Sequence, residues 1–162
     1  MARPLKVNAV ALISQANHPI IIRPFTEEDP LKYHYIAHTS LDLVEERLAM
    51  GPKFMDCYLG LLFVMDDVAV YGYVTPTRVK IIIALELADA LVRDADVIAI
   101  FKAAHAAYHE SISNPFTRYI GAPEATGTDP SPLVATTTPF WKILAKKIDD
   151  VGRAIGSLPS QK

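Results

Sequence analysis

Near the start of the chain, apolar residues alternate with a period of two, which is the spacing of a β-strand. The segment LKVNAVALIS places Val7, Ala9 and Ala11 on one face and Val10 and Leu12 on the other. QANHP then supplies turn residues, because asparagine tolerates left-handed backbone and proline fixes φ. The apolar run IIIR follows, so this part of the chain predicts a β-hairpin.

Between residues 27 and 50 the apolar spacing becomes that of an amphipathic helix. Asp29 suits the N-cap, Pro30 suits the first helical position, and Gly51-Pro52 suits the end. The predicted buried face holds Tyr33, Ile36, Ala37, Leu41, Val44 and Leu48. The opposite, polar face holds His34, Tyr35, His38, Asp42, Glu45 and Glu46.

Three apolar runs follow, CYLGLLFVM, VAVYGYVT and RVKIIIALE, joined by Asp66-Asp67 and Pro76-Thr77. Connections this short join antiparallel neighbours. Because VKIIIAL is apolar at successive positions, we expect this strand at the centre of the sheet, covered on both faces.

Two further helices are predicted in the second half of the chain. AIFKAAHAAYHESISNPF has helical spacing, with Asp96 as its N-cap and Pro115 at its end. Its core face holds Val97, Phe101, Ala104, Tyr108 and Ile112. The last helix begins at Thr138 and Pro139 and buries Phe140, Leu144, Ile148, Val151 and Ile155. Residues 117–138 predict a flexible insertion loop and residues 157–162 a disordered tail.

The resulting order, ββαβββαα, predicts an α+β fold with one five-stranded antiparallel sheet. Since this sheet is apolar on both faces, we expect the first helix on one face and the last two on the other. Residues 1–156 then form a single domain, which fits a chain of 162 residues.

Composition narrows the classes of function. The net charge is −2 and no basic tract occurs, so no nucleic-acid partner is expected, because phosphate neutralisation needs clustered Lys and Arg. Cys57 is the only cysteine, which rules out an intrachain disulfide, and we interpret it as a buried strand residue. No apolar run reaches the roughly 18–20 residues that span a bilayer, so no transmembrane insertion is expected.

Two histidine pairs at helical spacing raise the question of a metal site, His34 with His38 and His105 with His109. Neither pair has the H-E-x-x-H sequence of a zinc protease. The predicted arrangement places the two pairs on opposite faces of the sheet, so they cannot combine. We interpret His105 as a helix-edge residue and expect His34 and His38 to pair with nearby carboxylates such as Asp42. A metal-dependent enzyme built on the histidines remains the alternative from a different class.

Other catalytic signatures are missing from the sequence, including G-x-S-x-G, G-x-x-x-x-G-K, G-x-G-x-x-G and C-x-x-C. We interpret the paired carboxylates Asp66-Asp67 as a turn and Asp149-Asp150 as a solvated helix face. No catalytic, metal-binding or cofactor-binding residue is predicted, and no cofactor is expected.

Three segments carry a family resemblance: YLGLLFVMDDVAVYGYVTPTRVKIIIAL, IFKAAHAAYHESISNPF and SLDLVEE. Together they resemble the sedlin family of transport protein particle (TRAPP) subunits, most closely its subunit 2-like branch. The resemblance implies a longin-like (SNARE-like) fold and a non-catalytic subunit of a vesicle-tethering complex. Such a complex acts as an exchange factor for a Rab GTPase in ER–Golgi and intra-Golgi transport.

The implied partners are other TRAPP subunits and, indirectly, a Rab GTPase. The implied location is the cytoplasm, with peripheral association with Golgi membranes through the complex. The alternative within trafficking is a regulatory longin domain like those of adaptor small chains or SNAREs. A SNARE would need a heptad segment and a membrane anchor after the domain, and neither is expected here.

Two surfaces are candidates for binding a partner. The first is the helix face formed by Tyr35, His38, Asp42, Glu45 and Glu46. The alternative is that these residues form an ordinary solvated helix face. Tyrosine and acidic clusters favour an interface, and Asp42 matches the aspartate of the family's L-D-L-V-E/D-E segment. The second is the rim around Asn114 and Phe116, where the alternative is a helix stop with Phe116 tucked under the sheet.

Overall fold

Five strands and three helices follow one another in the predicted order ββαβββαα. The computed structural model describes residues 5–27, 29–50, 57–87, 91–113 and 139–156. The strands are β1 (Val7–Ile13), β2 (Pro19–Pro24), β3 (Tyr58–Met65), β4 (Val68–Val74) and β5 (Lys80–Glu86). The helices are α1 (Pro30–Ala49), α2 (Asp94–Ile112) and α3 (Pro139–Ile155).

The strands form one antiparallel sheet in the order β2-β1-β5-β4-β3. β5 lies at its centre, and every residue of β5 except the last is buried, as its continuous apolar sequence predicts. The predicted turn at Asp66-Asp67 joins Met65 to Val68, and Asp66 adopts a φ of 51°. Aspartate tolerates this left-handed conformation better than most residues.

The two faces of the sheet build two separate cores. Leu12, Ile81 and Ile83 lie in the core with α2 and α3, whereas Ile13 and Ile82 lie in the core with α1. One helix therefore covers one face and two helices cover the other, as predicted. This is the longin-like arrangement that the resemblance implies.

One predicted face assignment in β1 is wrong. Val7 was expected beside Ala9 and Ala11, but it packs with Val10 and Leu12 in the core under α2 and α3. The register between β1 and β5 shifts between Val7 and Ala9. An irregularity of this kind breaks the two-residue period, because one extra residue turns the next side chain to the other face.

Local capping chemistry starts α1 where the sequence predicts. The Asp29 carboxylate accepts a hydrogen bond from the Leu31 backbone N–H at 2.9 Å, and Pro30 occupies the first helical position. Four residues of the predicted buried face are fully buried, namely Tyr33, Ile36, Ala37 and Val44. Leu41 and Leu48 are partly buried beside them, and Gly51-Pro52 lies outside the described residues.

The predicted N-cap of α2 is wrong. The helix begins at Asp94 after Arg93, and the Asp96 carboxylate is held by the Arg93 guanidinium, with Nε–Oδ2 at 2.9 Å and Nη2–Oδ1 at 3.1 Å. Two aspartates in the first turn still suit the positive end of the helix dipole. The predicted core face is confirmed at Val97, Phe101, Ala104 and Tyr108, with Ile112 partly buried.

Asp149 corrects a second expectation, that of a solvated carboxylate pair on α3. Arg23 of β2 donates to it through Nε at 2.7 Å and through Nη2 at 2.8 Å, and the Asp149 side chain is 15% exposed. Asp150 is exposed and pairs with Arg153 in the same helix. Leu144 and Ile148 are fully buried, as predicted.

The insertion expected at residues 117–138, the N-cap Thr138 and the tail at 157–162 lie outside the described residues, so those assignments stay predictions. None of the helices within the described ranges is both long and apolar enough to cross a lipid bilayer.

Candidate protein-interaction site

The outer face of α1 gathers the first set of candidate residues. Tyr35 is 62% exposed, and His38, Asp42 and Glu46 are exposed along the same side of the helix. Their spacing of three and four residues keeps them in line, since an α-helix has 3.6 residues per turn. Leu31, which is 72% exposed, extends this face by one turn.

Glu45 lies beside this stripe and is already engaged within the molecule. Its Oε1 accepts hydrogen bonds from the Lys80 ammonium and, at 3.5 Å, from the Asn17 side-chain amide. Lys80 also donates to Asn17 Oδ1, and the Lys80 side chain is only 4% exposed. Glu45 therefore ties α1 to β5 and to the turn between β1 and β2. The hydrogen bond from Lys80 lowers the pKa of Glu45.

We expect Glu45→Gln to lower the free energy of unfolding by ~1–3 kcal/mol, because it leaves the buried Lys80 ammonium without an anion. The pKa of Glu45 in the folded protein lies below its ordinary value of 4.5. The stabilisation that the ionised Glu45 carboxylate gives the fold is therefore complete above pH 4.5 and is lost as the pH falls through the pKa of the folded state. The wild-type protein should therefore lose more stability than Glu45→Gln on acidification. Urea unfolding at neutral and acidic pH measures both effects.

Glu46→Gln is the matched control, because Glu46 is the exposed neighbouring carboxylate. It should change stability by at most ~0.5 kcal/mol. Equal stability and equal pH dependence of the two variants would show that the pair with Lys80 does not hold α1.

Arg47 fixes the other side of α1 to the sheet. Its guanidinium donates to the backbone carbonyls of Leu59 and Leu61 in β3, the second at 2.6 Å. Gly60, between these two residues, has a φ of 76°, which glycine adopts without steric cost. Glu45 and Arg47 therefore tie α1 to the sheet on both sides of its outer face.

The histidines do not form a metal site in the described parts of the chain. The ring centroids of His105 and His109 lie 6.4 Å apart, and the rings are nearly perpendicular. Burial lowers the pKa of His105, and the charge of His109 lowers it further. No cluster of three or more His, Cys, Asp or Glu side chains suited to a metal occurs among the described residues. The expected ion pair between His38 and Asp42 is also not formed.

Two cavities are lined by described residues. An apolar gap of about 10 Å³ lies between α1 and the sheet, lined by small side chains such as Ala9, Ala37 and Ala84. An open cleft of about 260 Å³ is lined by Glu45, Lys80 and Arg78 among others. Sites for small molecules usually measure ~300–1,000 Å³ and are mostly apolar, and two of this cleft's charged groups already bind each other.

The second candidate surface, at Asn114 and Phe116, lies outside the described residues and stays a prediction. Conversely, sequence reasoning missed several exposed aliphatic side chains, among them those of Leu31, Leu61 and Val64. Leu31 could have been found from its position four residues before Tyr35. The exposure of Leu61 and Val64 depends on which strand lies at the edge of the sheet. The order of the strands cannot be predicted from the local periodicity of apolar residues.

The order of elements and the five-stranded antiparallel sheet define a longin-like domain, and α1 carries an exposed polar face on it. The sequence profile of the sedlin family matches residues 12–125. The trafficking protein particle complex subunit 2-like proteins of Bos taurus and Xenopus tropicalis are 40% and 41% identical over 111 residues, covering 66% of this chain and 80% of each relative. That of Dictyostelium discoideum is 39% identical over 117 residues, covering 68% of this chain and 82% of the relative. The chain belongs to the sedlin family.

Proposed function

We propose that this chain is a non-catalytic subunit of a trafficking protein particle complex and contributes to the assembly of that complex. The observation that carries the proposal is the identity of about 40% to relatives that bear this name, over 80% of the length of each relative. The exposed face of α1 supports it, because a subunit of an assembly works through its surface. The absence of a phosphate-binding motif in the sequence is consistent with an adaptor rather than a nucleotide-handling enzyme.

The resemblance to the family supports a finer role in this proposal. The assembled complex tethers vesicles and promotes nucleotide exchange on a Rab GTPase in ER–Golgi and intra-Golgi transport. In this proposal the chain contacts other subunits directly and the Rab only through them. It is cytoplasmic and reaches Golgi membranes peripherally, as part of the complex.

The proposed docking surface is the outer face of α1, with Tyr35, His38, Asp42 and Glu46 in contact with the partner. A tyrosine ring contributes apolar area while its hydroxyl finds a polar partner. The carboxylates of Asp42 and Glu46 select a basic partner surface and set its register. Glu45 has a positioning role, because its bonds to Lys80 and Asn17 hold this face in place.

Asp42→Tyr tests this surface. We expect the variant to melt like the wild-type protein, since a substitution on an exposed helix face changes stability by at most ~0.5 kcal/mol. Capture of partner subunits should fall about tenfold, a loss of ~1.4 kcal/mol in binding, because a charge is removed and bulk is added at the contact. Thermal melting of the purified chain and co-purification through a tag on it measure the two effects.

Asp150→Tyr is the matched control, because Asp150 is an exposed helix carboxylate on the opposite face of the sheet. It should leave both melting and capture unchanged. A large loss of stability in Asp42→Tyr together with unchanged capture would refute the assignment of this face as an interface.

A further inference from the structure

The hairpin between β4 and β5 turns through three residues, Pro76, Thr77 and Arg78. The Thr75 backbone N–H donates to the Val79 carbonyl at 2.9 Å, and the Arg78 N–H donates to the Thr75 carbonyl at 2.9 Å. Hairpins with three-residue loops commonly combine a type I turn with one residue in the left-handed conformation. In this hairpin the left-handed residue is Arg78, with a φ of 66°.

Arginine is an unusual residue for this position. Glycine adopts the left-handed conformation without steric cost, whereas a residue with a Cβ loses stability there. The other non-glycine residues with positive φ among the described residues are Asn17 and Asp66, which belong to the types that tolerate it. A strained residue of another type indicates that its side chain has a use. Arg78 is therefore a candidate for binding.

The Arg78 side chain is exposed and forms no hydrogen bond or ion pair with the described part of the chain. Each of the other described arginines donates to a carboxylate or a carbonyl, namely Arg23, Arg47, Arg93 and Arg153. A guanidinium offers five N–H donors in a planar fork. In Arg78 all of them are open to a ligand.

Arg78 lines an open cleft of about 260 Å³ together with Lys80 and Glu45. The Lys80 ammonium donates to Glu45 and to Asn17, which uses two of its three protons. No third partner is found among the described residues, and the Lys80 side chain is only 4% exposed. The cleft thus offers one exposed and one buried cationic donor to a group that accepts hydrogen bonds.

The charge of the cleft selects the kind of anion. Because the charges of Lys80 and Glu45 cancel, Arg78 leaves these three groups with one net positive charge. A carboxylate carries one negative charge and accepts two parallel hydrogen bonds from a guanidinium. A phosphate monoester carries about −1.5 to −2 charges at pH 7, and its excess charge would face the Glu45 carboxylate. The cleft therefore favours a carboxylate.

The size and the remaining walls of the cleft indicate what bears this carboxylate. Gln15, Leu48 and Val74 complete the lining. The side chains of Leu48 and Val74 offer apolar contacts to methylene groups, and the exposed Gln15 amide can hydrogen-bond to a neighbouring backbone group. The volume lies below the ~300–1,000 Å³ of small-molecule sites, so it suits one amino-acid side chain rather than a cofactor.

We propose that this cleft binds an aspartate or glutamate side chain of a neighbouring subunit, with its carboxylate between the Arg78 guanidinium and the Lys80 ammonium. This inference rests on the proposed function and deepens it, because it names a second contact with a partner. The outer face of α1 selects basic groups through Asp42 and Glu46, whereas the cleft selects an acidic one. Contacts of opposite sign in a fixed arrangement exclude wrong partners.

Arg78→Gly in the full-length chain separates binding from folding. Glycine removes the guanidinium and relieves the left-handed backbone, so the melting temperature should stay at or above the wild-type value. Capture of partner subunits should fall about tenfold. Arg78→Lys keeps the charge but loses the parallel pair of hydrogen bonds, and capture should fall about threefold. Thermal melting and quantitative co-purification measure these effects.

Lys102→Ala is the control, because it removes an exposed cation from α2, outside the cleft. It should leave capture unchanged. An equal fall in capture for Lys102→Ala would show a general attraction between charges rather than a site. A lower melting temperature for Arg78→Gly would show that Arg78 serves the fold, and either result would overturn the proposal.

Photo-cross-linking identifies the occupant of the cleft. A benzoylphenylalanine in place of the exposed Thr77, next to Arg78, should cross-link to a partner peptide that contains Asp or Glu. Changing that acid to Asn or Gln should lower capture by the wild-type chain about tenfold and have no further effect on Arg78→Gly, because the two groups form one contact. A peptide without an acidic residue, or two losses that simply add, would overturn the proposal.

The outcomes also separate other anions and the proposed function. If Arg78→Gly captures subunits normally but binds less well to vesicles of phosphatidylcholine and phosphatidylserine, the ligand is a lipid phosphate and this inference fails. If Asp42→Tyr weakens capture and Arg78→Gly does not, the proposed function stands and the cleft contact fails. If the wild-type chain captures no partner subunit at all, both proposals fail.

Discussion

Phe101→Ala is expected to lower the free energy of unfolding by ~3–5 kcal/mol, as large-to-small changes in a core do. Phe101 is completely buried on α2. Its ring stacks on that of Tyr73 at 5.2 Å and lies 6.0 Å from that of Tyr58. The substitution removes these contacts, each pair worth ~0.5–1.5 kcal/mol, and leaves a cavity between α2 and the sheet. Urea unfolding followed by circular dichroism measures the loss.

Lys102→Ala is the control for Phe101, because it shortens the exposed neighbouring side chain in the same helix turn. It should change stability by at most ~0.5 kcal/mol. A loss below ~1 kcal/mol for Phe101→Ala would contradict the docking of α2 through this ring.

Leu144→Ala should cost ~2–5 kcal/mol, although the helix that carries it lies beyond the family match. The family profile ends at residue 125, whereas α3 begins at Pro139. Leu144 is nonetheless completely buried in the core shared by the sheet and α2. The Arg23–Asp149 ion pair also anchors α3 to β2. We therefore expect α3 to be an integral part of the domain, which chemical unfolding of the variant measures.

Lys146→Ala provides the comparison for α3, because Lys146 is exposed on the same helix. It should leave stability within ~0.5 kcal/mol of the wild type. If Leu144→Ala were equally mild, α3 would be a loosely attached addition to the sedlin fold rather than part of its core.

Much of the fold could be predicted because local patterns reflect burial. The alternation in β1, the continuous apolar run of β5 and the helical stripe of α2 from Val97 to Ile112 indicate elements and their buried faces directly. The short turns fix antiparallel neighbours. The irregularity at Val7 could not be predicted, because an extra residue in a strand leaves no periodic signal.

Contacts between distant residues account for the corrections at Asp149 and Glu45. Asp149 lies 126 residues from Arg23, and Glu45 lies 35 from Lys80. Nothing local distinguishes such carboxylates from solvated ones. Asp96 was a reasonable N-cap by residue type, but its bond to Arg93 draws it into the first turn of α2.

The candidate site was predictable only in its helical part. The exposed stripe through Tyr35 and Asp42 follows from helical spacing, so the sequence suffices to place it. The edge position of β3 depends on the order β2-β1-β5-β4-β3, which brings the first and last strands of the chain together through long-range pairing. Leu61 and Val64 are ordinary strand residues until that order exposes them.

Native mass spectrometry of the assembly captured through this chain at its natural abundance tests the central claim most directly. The account predicts a heteromeric complex of fixed stoichiometry that contains this chain. The amount of that complex should fall about tenfold with Asp42→Tyr, while the variant chain keeps the wild-type melting temperature. Recovery of the wild-type chain as a monomer, or of the complex at its wild-type amount with Asp42→Tyr, would contradict it.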